Sequence, residues 1–459
     1  MGTLEELVAN VVGTRFDSID RTSIERAKWR IIDCLGCLMA GANAAGCRET
    51  VELVGTWGGA GESTILVHGI KGPALNVAMV NSLMTRSFDF EPVEAEGETR
   101  TSPAHISGTT VPTALTMAER QGASGRDLLT ALIIGDDLAA RLGVASGFDF
   151  ALGWDNTGTI NAFGAAAIAG KLLKLSEKQM ANAFGIVVNQ LGGSMAHVWD
   201  KVMVFKLPIA LAARNGIFSA ELAARGFTGL KDPFLGNHGY FALYCPNHDI
   251  AGLTRDLGKK FYADCVIKPY SACRATHSAI DTALKIAGEN AIDTEKIAEI
   301  TVHLTKGVLN GFTGQPFVLG ETPQIDGAFS IRYTVACALL RKGVKPAYFT
   351  DECIHDPKIR GLIDKMKLVA AIPPEKAPAT EIRVRMDDGT VFAAGTTFPK
   401  GDIYRTPLTP DEIRGKYRDN AAFSRTVSIE NSERALEMVE SLEEIDDVRK
   451  ITGLLVAAG

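Results

Sequence analysis

Apolar positions recur mostly at helical spacing from the start of the chain to about residue 260, which predicts a multihelical domain. Two capping boxes mark helix starts in this region, one at Ser124 and one at Ser176. Between them, segment 163–173 is rich in small residues and apolar nearly all round, which is typical of a helix buried on most faces. We therefore expect a helical bundle in the first half of the chain.

The pattern changes after about residue 260, where strand-like runs appear at 300–304 and 380–386. The second run alternates polar and apolar residues and continues through an Asp-Gly turn at 388–389 into residues 391–394, which is a strong hairpin signal. Helix returns at Thr409, where a further capping box begins the tail. These features predict a smaller α+β domain and a helical tail that packs back on the first domain.

Length and charge narrow the class of protein. A chain of 459 residues predicts more than one domain. Lysine and arginine total 48 against 54 acidic residues, so no basic excess favours nucleic acid as a partner. The N-terminus lacks a secretory pattern and no segment offers the roughly 18 apolar residues of a membrane helix. We expect a cytoplasmic protein with no membrane partner.

Motifs for metal, phosphate and serine chemistry are missing from the sequence: there is no P-loop, no HExxH and no G-x-S-x-G. The eight histidines and eight cysteines never cluster at ligand spacing, which disfavours zinc or iron chemistry. Cys34 and Cys37 form a C-x-x-C inside an apolar helix without a second pair, which favours packing over redox or metal chemistry.

Four segments combine titratable residues with loops or apolar surroundings. Asp89 precedes an acidic loop that ends at His105, and this histidine is either structural or catalytic. Asp155 lies just before the buried helix, where capping is favoured over catalysis. Lys206 stands among apolar residues and either snorkels or receives an anion.

The fourth segment, 266–277, is the hardest to explain as packing. It holds Lys268, Ser271 and Arg274 beside a tyrosine and a histidine. A site for a small polycarboxylate needs this inventory, because fixed cations pair with the carboxylates and a base takes the proton from the neighbouring carbon.

Together these segments resemble the MmgE/PrpD family over nearly the whole chain. The matching stretches are Asp89-Phe90-Glu91 (family D-F-D), His105 before Gly108, Phe163-Gly164-Ala165-Ala166 (F-G-A-A), residues 267–274 (K-P-Y-P-x-C-R), residues 329–333 (F-S-x-x-Y) and residues 398–401 (Y-P-K-G). The resemblance implies a mainly α, multidomain fold, with a large all-helical domain of residues 1–262 and 405–459 and a smaller α+β domain of residues 263–404. It also implies a homodimer.

Family activities set the expected chemistry. Members include 2-methylcitrate dehydratase, cis-aconitate decarboxylase and iminodisuccinate epimerase, and none uses a metal or organic cofactor for the chemistry. The resemblance therefore favours a hydro-lyase of the 2-methylcitrate type acting on a small polycarboxylate. An epimerase or decarboxylase on the same scaffold is the alternative, and a catalytically inactive metabolite-binding protein is a third.

Roles for individual residues follow from the same resemblance. His105 is expected to act as general base or acid, Asp89 to orient it or hold a helix terminus, and Tyr333 to protonate or hydrogen-bond a leaving hydroxyl. The expected substrate-binding residues are Lys206, Lys268, Ser271 and Arg274. The cations among them would bind carboxylates and stabilise the enediolate-like charge that builds when the α-proton leaves.

The chain also departs from the family pattern. Many members carry a histidine where this chain has Asp155, so a carboxylate takes the acid/base role here or the reaction differs. Where the family pattern leads us to expect a lysine and a leucine-histidine pair, this chain reads Phe205-Lys206-Leu207-Pro208. The loop before His105 carries Glu94, Glu96 and Glu98, and such an acidic rim would favour a substrate with fewer negative charges or with a cationic group.

Overall fold

The computed structural model describes residues 2–98 and 101–457, and helices dominate. The helices up to residue 244 are α1 Thr3–Gly13, α2 Arg21–Gly41, α3 Cys47–Trp57, α4 Ala74–Arg86, α5 Ser107–Gln121, α6 Gly125–Ala145, α7 Ile160–Leu172, α8 Glu177–Val187, α9 Ala196–Asp200, α10 Leu207–Ala224 and α11 Tyr240–Tyr244. The later helices are α12 His277–Glu289, α13 Lys306–Asn310, α14 Pro323–Ala328, α15 Ile331–Arg341, α16 Asp351–Ile354, α17 Pro357–Asp364, α18 Pro410–Ser424, α19 Ile429–Glu440 and α20 Arg449–Thr452. The strands are β1 Ser63–Ile65, β2 Ile70–Gly72, β3 Val93–Ala95, β4 Cys265–Val266, β5 Ile297–Thr305, β6 Met366–Ile372, β7 Thr380–Met386 and β8 Val391–Thr396.

Local signals in the sequence are confirmed at the helix starts. Ser124, Ser176 and Thr409 each form the predicted capping box with the third residue of the helix. Helix α7 is buried along its whole length except at Lys171, as its small apolar residues predict. Among the described residues, no helix is both long enough and apolar enough to cross a membrane.

The first hydrophobic core joins the N-terminal helices to the tail. Helix α7 is central and packs against α5, α6 and α10, while α18 of the tail lies on α2. The α2–α18 contact is close, because a Cβ atom added to Gly36 would lie 3.1 Å from the Cα atom of Tyr417. A side chain at Gly36 would push the tail away from the core.

A second core covers the α+β part. Its four-stranded sheet has the order β6-β5-β7-β8, with β5 and β6 parallel and the other pairs antiparallel. Helices α12 and α15 pack together over this sheet, α12 directly against β7 and β8. The predicted strand 380–386 and its hairpin are confirmed, and Ile382, Val384 and Met386 are buried on one face.

Short strands interrupt the part of the chain that was expected to be all helical. Strands β1 and β2 form a two-stranded antiparallel ribbon, and β3 pairs with β4 through Val93 and Val266. Strands of two or three residues are too short to show alternation in a sequence, which is why helical spacing concealed them. This part is therefore mainly helical, and the domain boundaries stay a prediction.

Candidate active site

The β3–β4 pair brings distant parts of the chain together. Helix α4 ends at Arg86, and the loop that follows it carries Asp89 and Glu91 before entering β3. Lys268 lies two residues beyond β4, the partner strand of β3. The antiparallel pairing therefore places Lys268 beside the loop that carries Asp89.

Arg86 is at the centre of a cluster with four other side chains. Its Nη1 contacts the carboxylate of Asp89, lies 2.8 Å from Glu91 Oε1 and lies 3.0 Å from His105 Nδ1. Lys268 Nζ donates to the Asp89 carbonyl oxygen at 2.6 Å and to Asp89 Oδ1 at 2.9 Å. We call these five residues the Arg86 cluster. Its two cations match its two carboxylates, as buried charges require.

Asp89 holds an uncommon backbone conformation within the cluster. Its φ is +48°, in the left-handed region that non-glycine residues seldom adopt. Lys268 bonds both its carbonyl and its carboxylate, and Arg86 also contacts the carboxylate. These contacts hold the loop in a conformation that costs energy, a feature that concentrates at functional sites.

His105 has the most solvent-exposed side chain of the Arg86 cluster. Its side chain is 17% exposed, whereas the side chains of Glu91 and Lys268 are fully buried. Its Nδ1 lies 2.7 Å from Glu91 Oε1, and Asn161 Nδ2 donates to its carbonyl oxygen at 2.7 Å. The short contact with a carboxylate favours the tautomer in which Nδ1–H donates to Glu91. Nε2 is then free to exchange a proton with a ligand.

The surroundings keep this imidazole neutral and its carboxylate partner ionised. Burial and the charge of Arg86 lower the pKa of His105, against the opposing effect of Glu91. Burial alone would raise the pKa of Glu91, but the charge of Arg86 and the hydrogen bond with His105 bring it below its ordinary value. At neutral pH, His105 is therefore a base held in place by an anion.

The donor set of Asp89, Glu91 and His105 could in principle hold a metal ion, since one ligand atom from each lies within 4.8 Å of the others. The same oxygen atoms already contact Arg86 and Lys268. A metal ion would add positive charge to carboxylates that are already neutralised, so the arrangement fits proton chemistry better than metal binding.

Asp155 caps a short 3-10 turn of residues 156–158, and not the buried helix α7 that was expected, whose N-cap is Thr159. Its Oδ1 accepts from the backbone N–H of Thr157 at 2.9 Å. Its Oδ2 points elsewhere and lies 3.5 Å from Nε2 of His197. The neighbouring Asn156 donates to the carbonyl of Pro103, so the Asp155 loop packs against the loop of His105.

The structure does not bring Lys206 to the cluster. Its buried Nζ donates to the carbonyl oxygen of Ala45 at 2.7 Å. The preceding residue, Phe205, faces the cluster instead, with its ring centroid 5.1 Å from the Arg86 guanidinium carbon. Neighbouring side chains in this 3-10 turn point in different directions, so Phe205 faces Arg86 and the adjacent Lys206 does not.

Arg274 and Ser271 support the backbone rather than offering groups to a ligand. Arg274 donates to the carbonyl oxygens of Lys400 at 2.7 Å and Pro399 at 3.4 Å. Ser271 donates to the carbonyl oxygen of Phe88 at 3.2 Å. Arg274 therefore ties down the 398–401 turn, and Ser271 steadies the loop that carries Asp89.

Tyr333 lies outside the cluster, in the core of the α+β part. Its hydroxyl donates to the carbonyl oxygen of Tyr348, and its ring stacks on Phe317 with centroids 5.6 Å apart. It is fully buried in helix α15. The motif that suggested a catalytic role is explained here by packing.

The expected acidic rim is neutralised by arginines. Each glutamate of the loop meets one: Glu94–Arg274 at 3.4 Å, Glu96–Arg26 at 3.6 Å and Glu98–Arg255 at 2.6 Å. Residues 99–100 of this loop lie outside the described residues. The argument that the substrate carries fewer negative charges loses its support, because the glutamate charges are matched.

Residues that the sequence did not reveal complete the site. Arg86 is the last residue of the mainly apolar helix α4, and nothing in its local sequence indicates a site. His197 is far from Asp155 along the chain, so their pairing could not be predicted. Lys416 of the tail donates to the carbonyl of Phe90 at 2.7 Å and pairs with Asp33 at 2.7 Å. The tail thus holds the loop between Asp89 and Glu91.

Lys416→Met is expected to destabilise the helical part by about 3 kcal/mol, because it leaves Asp33 buried without its cation. Burial raises the pKa of Asp33 to about 6 even with Lys416 present. The carboxyl takes up a proton as pH falls, so the loss in the urea midpoint should be smaller at about pH 5 than at about pH 8. Adding Asp33→Asn should restore most of the midpoint. An unchanged midpoint in the single variant would contradict this account.

Comparisons with known proteins agree with the resemblance seen in the sequence. The MmgE/PrpD N-terminal domain matches residues 5–252, and the MmgE/PrpD C-terminal domain matches residues 270–444. Similar proteins include the cis-aconitate decarboxylase-like protein oryM of Aspergillus oryzae, 27% identical over 94% of this chain and 92% of that protein. The cis-aconitate decarboxylases of Mus musculus and Homo sapiens are 26% and 27% identical over 98% of this chain and 93% and 94% of theirs. The two domain matches together span most of the sequence, and the chain belongs to the MmgE/PrpD family.

Proposed function

We propose that the chain is a carboxy-lyase that removes one carboxylate from a small unsaturated tricarboxylate of the cis-aconitate kind. Its family consists of enzymes that act on polycarboxylates, and several relatives that match nearly its whole length are cis-aconitate decarboxylases. The observation that carries the proposal is the position of His105. It is a neutral, partly exposed imidazole that contacts the buried carboxylate of Glu91 and the guanidinium of Arg86.

The reaction needs one proton and a place for negative charge. The bond between the methylene carbon and its carboxylate breaks, and carbon dioxide leaves. The electron pair of the broken bond forms a new double bond between the methylene carbon and the central carbon. The electron pair of the former double bond moves to the CH carbon at its other end, which carries a carboxylate of its own. A proton from His105 Nε2 adds to that carbon, and water returns a proton to His105.

Substrate binding causes His105 to take up the proton that this step uses. Within the Arg86 cluster, Arg86 and Lys268 are balanced by Asp89 and Glu91. The cluster therefore carries a net positive charge for an anionic ligand only when His105 takes up a proton. The ligand's carboxylates raise the pKa of His105 again, which loads the imidazole before the carbanion forms. Arg86 and Lys268 are fixed charges near that carbanion.

Decarboxylation takes precedence over dehydration because of Tyr333. The expected dehydratase needs an acid for the leaving hydroxyl, and the family resemblance suggests Tyr333 for that role. Its hydroxyl is instead engaged with the carbonyl of Tyr348, outside the cluster. The decarboxylation step has no leaving hydroxyl and requires no such acid.

The proposal is tested by incubating the purified chain separately with cis-aconitate, 2-methylcitrate and iminodisuccinate and following each by proton NMR. We expect cis-aconitate to disappear with release of carbon dioxide and appearance of a dicarboxylate with a terminal methylene group. A new vinyl signal from 2-methylcitrate alone would establish dehydration, and interconversion of iminodisuccinate stereoisomers alone would establish epimerisation. Either result would overturn the proposal, as would silence with all three compounds.

A further inference from the structure

His197 is a buried imidazole beside the Arg86 cluster that the steps above do not use. It lies in helix α9 and is 5% exposed. Its Nε2 lies 3.5 Å from Asp155 Oδ2. This separation is longer than the roughly 2.7–3.2 Å of a nitrogen-to-oxygen hydrogen bond. The two groups attract each other, but Nε2 is left able to bond a third atom.

Backbone contacts join the loop of Asp155 to the loop before His197 and connect His197 to Phe205. The N–H of Asp155 donates to the carbonyl oxygen of Gly193 at 3.0 Å. Gly193 has a φ of +129°, and a Cβ atom there would lie 3.2 Å from Cβ of Asp155, so the loops touch closely. On the other side, the carbonyl of His197 accepts from Val202, whose own carbonyl accepts from Phe205, the residue under Arg86.

The charged or titratable side chains around His197 are Asp155, Arg86 and His105. Burial lowers the pKa of His197, Asp155 opposes this, and Arg86 and His105 lower it further. A backbone hydrogen bond to Ser194 also favours the charged ring. The net effect is a pKa of His197 below its ordinary value, and a bound carboxylate would shift the ring toward its charged form.

We propose that His197 is a second catalytic imidazole of this site, which donates from Nε2 to the substrate carboxylate that shares the negative charge of the carbanion. His197 keeps its proton throughout, so no further bond is made or broken. Asp155 is the positioning residue that orients the ring and supports its charge. This inference rests on the proposed function, because it assigns His197 to a carboxylate of the same substrate.

The first test is kinetic, with cis-aconitate. His197→Gln is expected to lower kcat about 100-fold with a smaller change in KM, because the lost hydrogen bond is strongest when charge builds up. The matched control is His303→Gln, since His303 also faces a carboxylate, Glu381 at 3.8 Å, but lies in the sheet of the α+β part. Wild-type kcat and KM in His197→Gln would overturn the inference.

The second test follows ligand binding in the wild-type chain and then compares it with the Asp155→Asn variant. Histidine-labelled wild-type chain is titrated with tricarballylate, a saturated tricarboxylate that lacks the double bond needed for the electron shift. We expect the ring signals of both His105 and His197 to move, and Asp155→Asn to lower the measured pKa of His197. Movement of the His105 signal alone would overturn the inference while leaving the proposed function intact. Movement of neither signal would overturn both.

Discussion

Replacement of His105 by asparagine is expected to lower kcat for cis-aconitate by about 1,000-fold, within the range that general acid–base groups contribute. The substituted amide N–H can still donate to Glu91, as Nδ1–H does in the wild type. The change therefore removes the transferable proton at Nε2 and retains the contact that holds the loop. We expect KM to change by no more than a few-fold, because the cations Arg86 and Lys268 remain.

Steady-state rates of carbon dioxide release measure this effect, with circular dichroism to show that the variant is folded. His355→Asn is the control, because His355 is engaged with the Asp351 carbonyl of helix α16, in the α+β part. A raised KM with unchanged kcat would show that His105 binds substrate without transferring a proton. That outcome would contradict the role given to it here.

Arg86→Met is expected to have the largest effect on stability, a loss of about 5 kcal/mol in the free energy of unfolding of the helical part. Breaking a buried ion pair typically costs 3–5 kcal/mol, and Arg86 contacts two buried carboxylates, Asp89 and Glu91. The ring of Phe205 also loses its cation. Urea denaturation followed by circular dichroism measures the loss.

The pH dependence of this loss identifies its cause. The charge of Arg86 and the hydrogen bond with His105 hold the pKa of Glu91 below its ordinary value against the effect of burial. The Arg86–Glu91 ion pair therefore stabilises the fold above that ordinary value and stabilises it less as pH falls. In Arg86→Met the carboxylates protonate more readily, and the gap to the wild type should narrow in acid. Adding Glu91→Gln should recover part of the loss. A gap that stays constant with pH would indicate lost packing instead of unpaired charge.

The sequence predicted the elements whose signals are local. The capping boxes at Ser124, Ser176 and Thr409 depend on neighbouring residues, and the alternation in β7 depends on one buried sheet face. Both kinds of signal lie within a short stretch of sequence and can be recognised without knowing the rest of the fold. The short strands β3 and β4 lack such a signal, although their pairing assembles the site.

The site was predictable only where motif and side-chain direction agree. Asp89, His105 and Lys268 meet as the resemblance implied, whereas Lys206 and Tyr333 match motifs but point elsewhere. Side-chain direction depends on packing around each turn and helix, which one sequence does not encode locally. Arg86 and His197 escaped notice because their partners are set by tertiary structure. The homodimer stays a prediction.

The measurement that tests the central claim most directly is the reaction with cis-aconitate in heavy water, analysed by NMR of the product. A proton donor fixed by Glu91 on one side of the substrate should deliver one deuteron to one face of the carbon. The account predicts carbon dioxide release and a product that carries a single deuteron at a single prochiral position. Failure to release carbon dioxide, or a product deuterated equally at both positions, would contradict it.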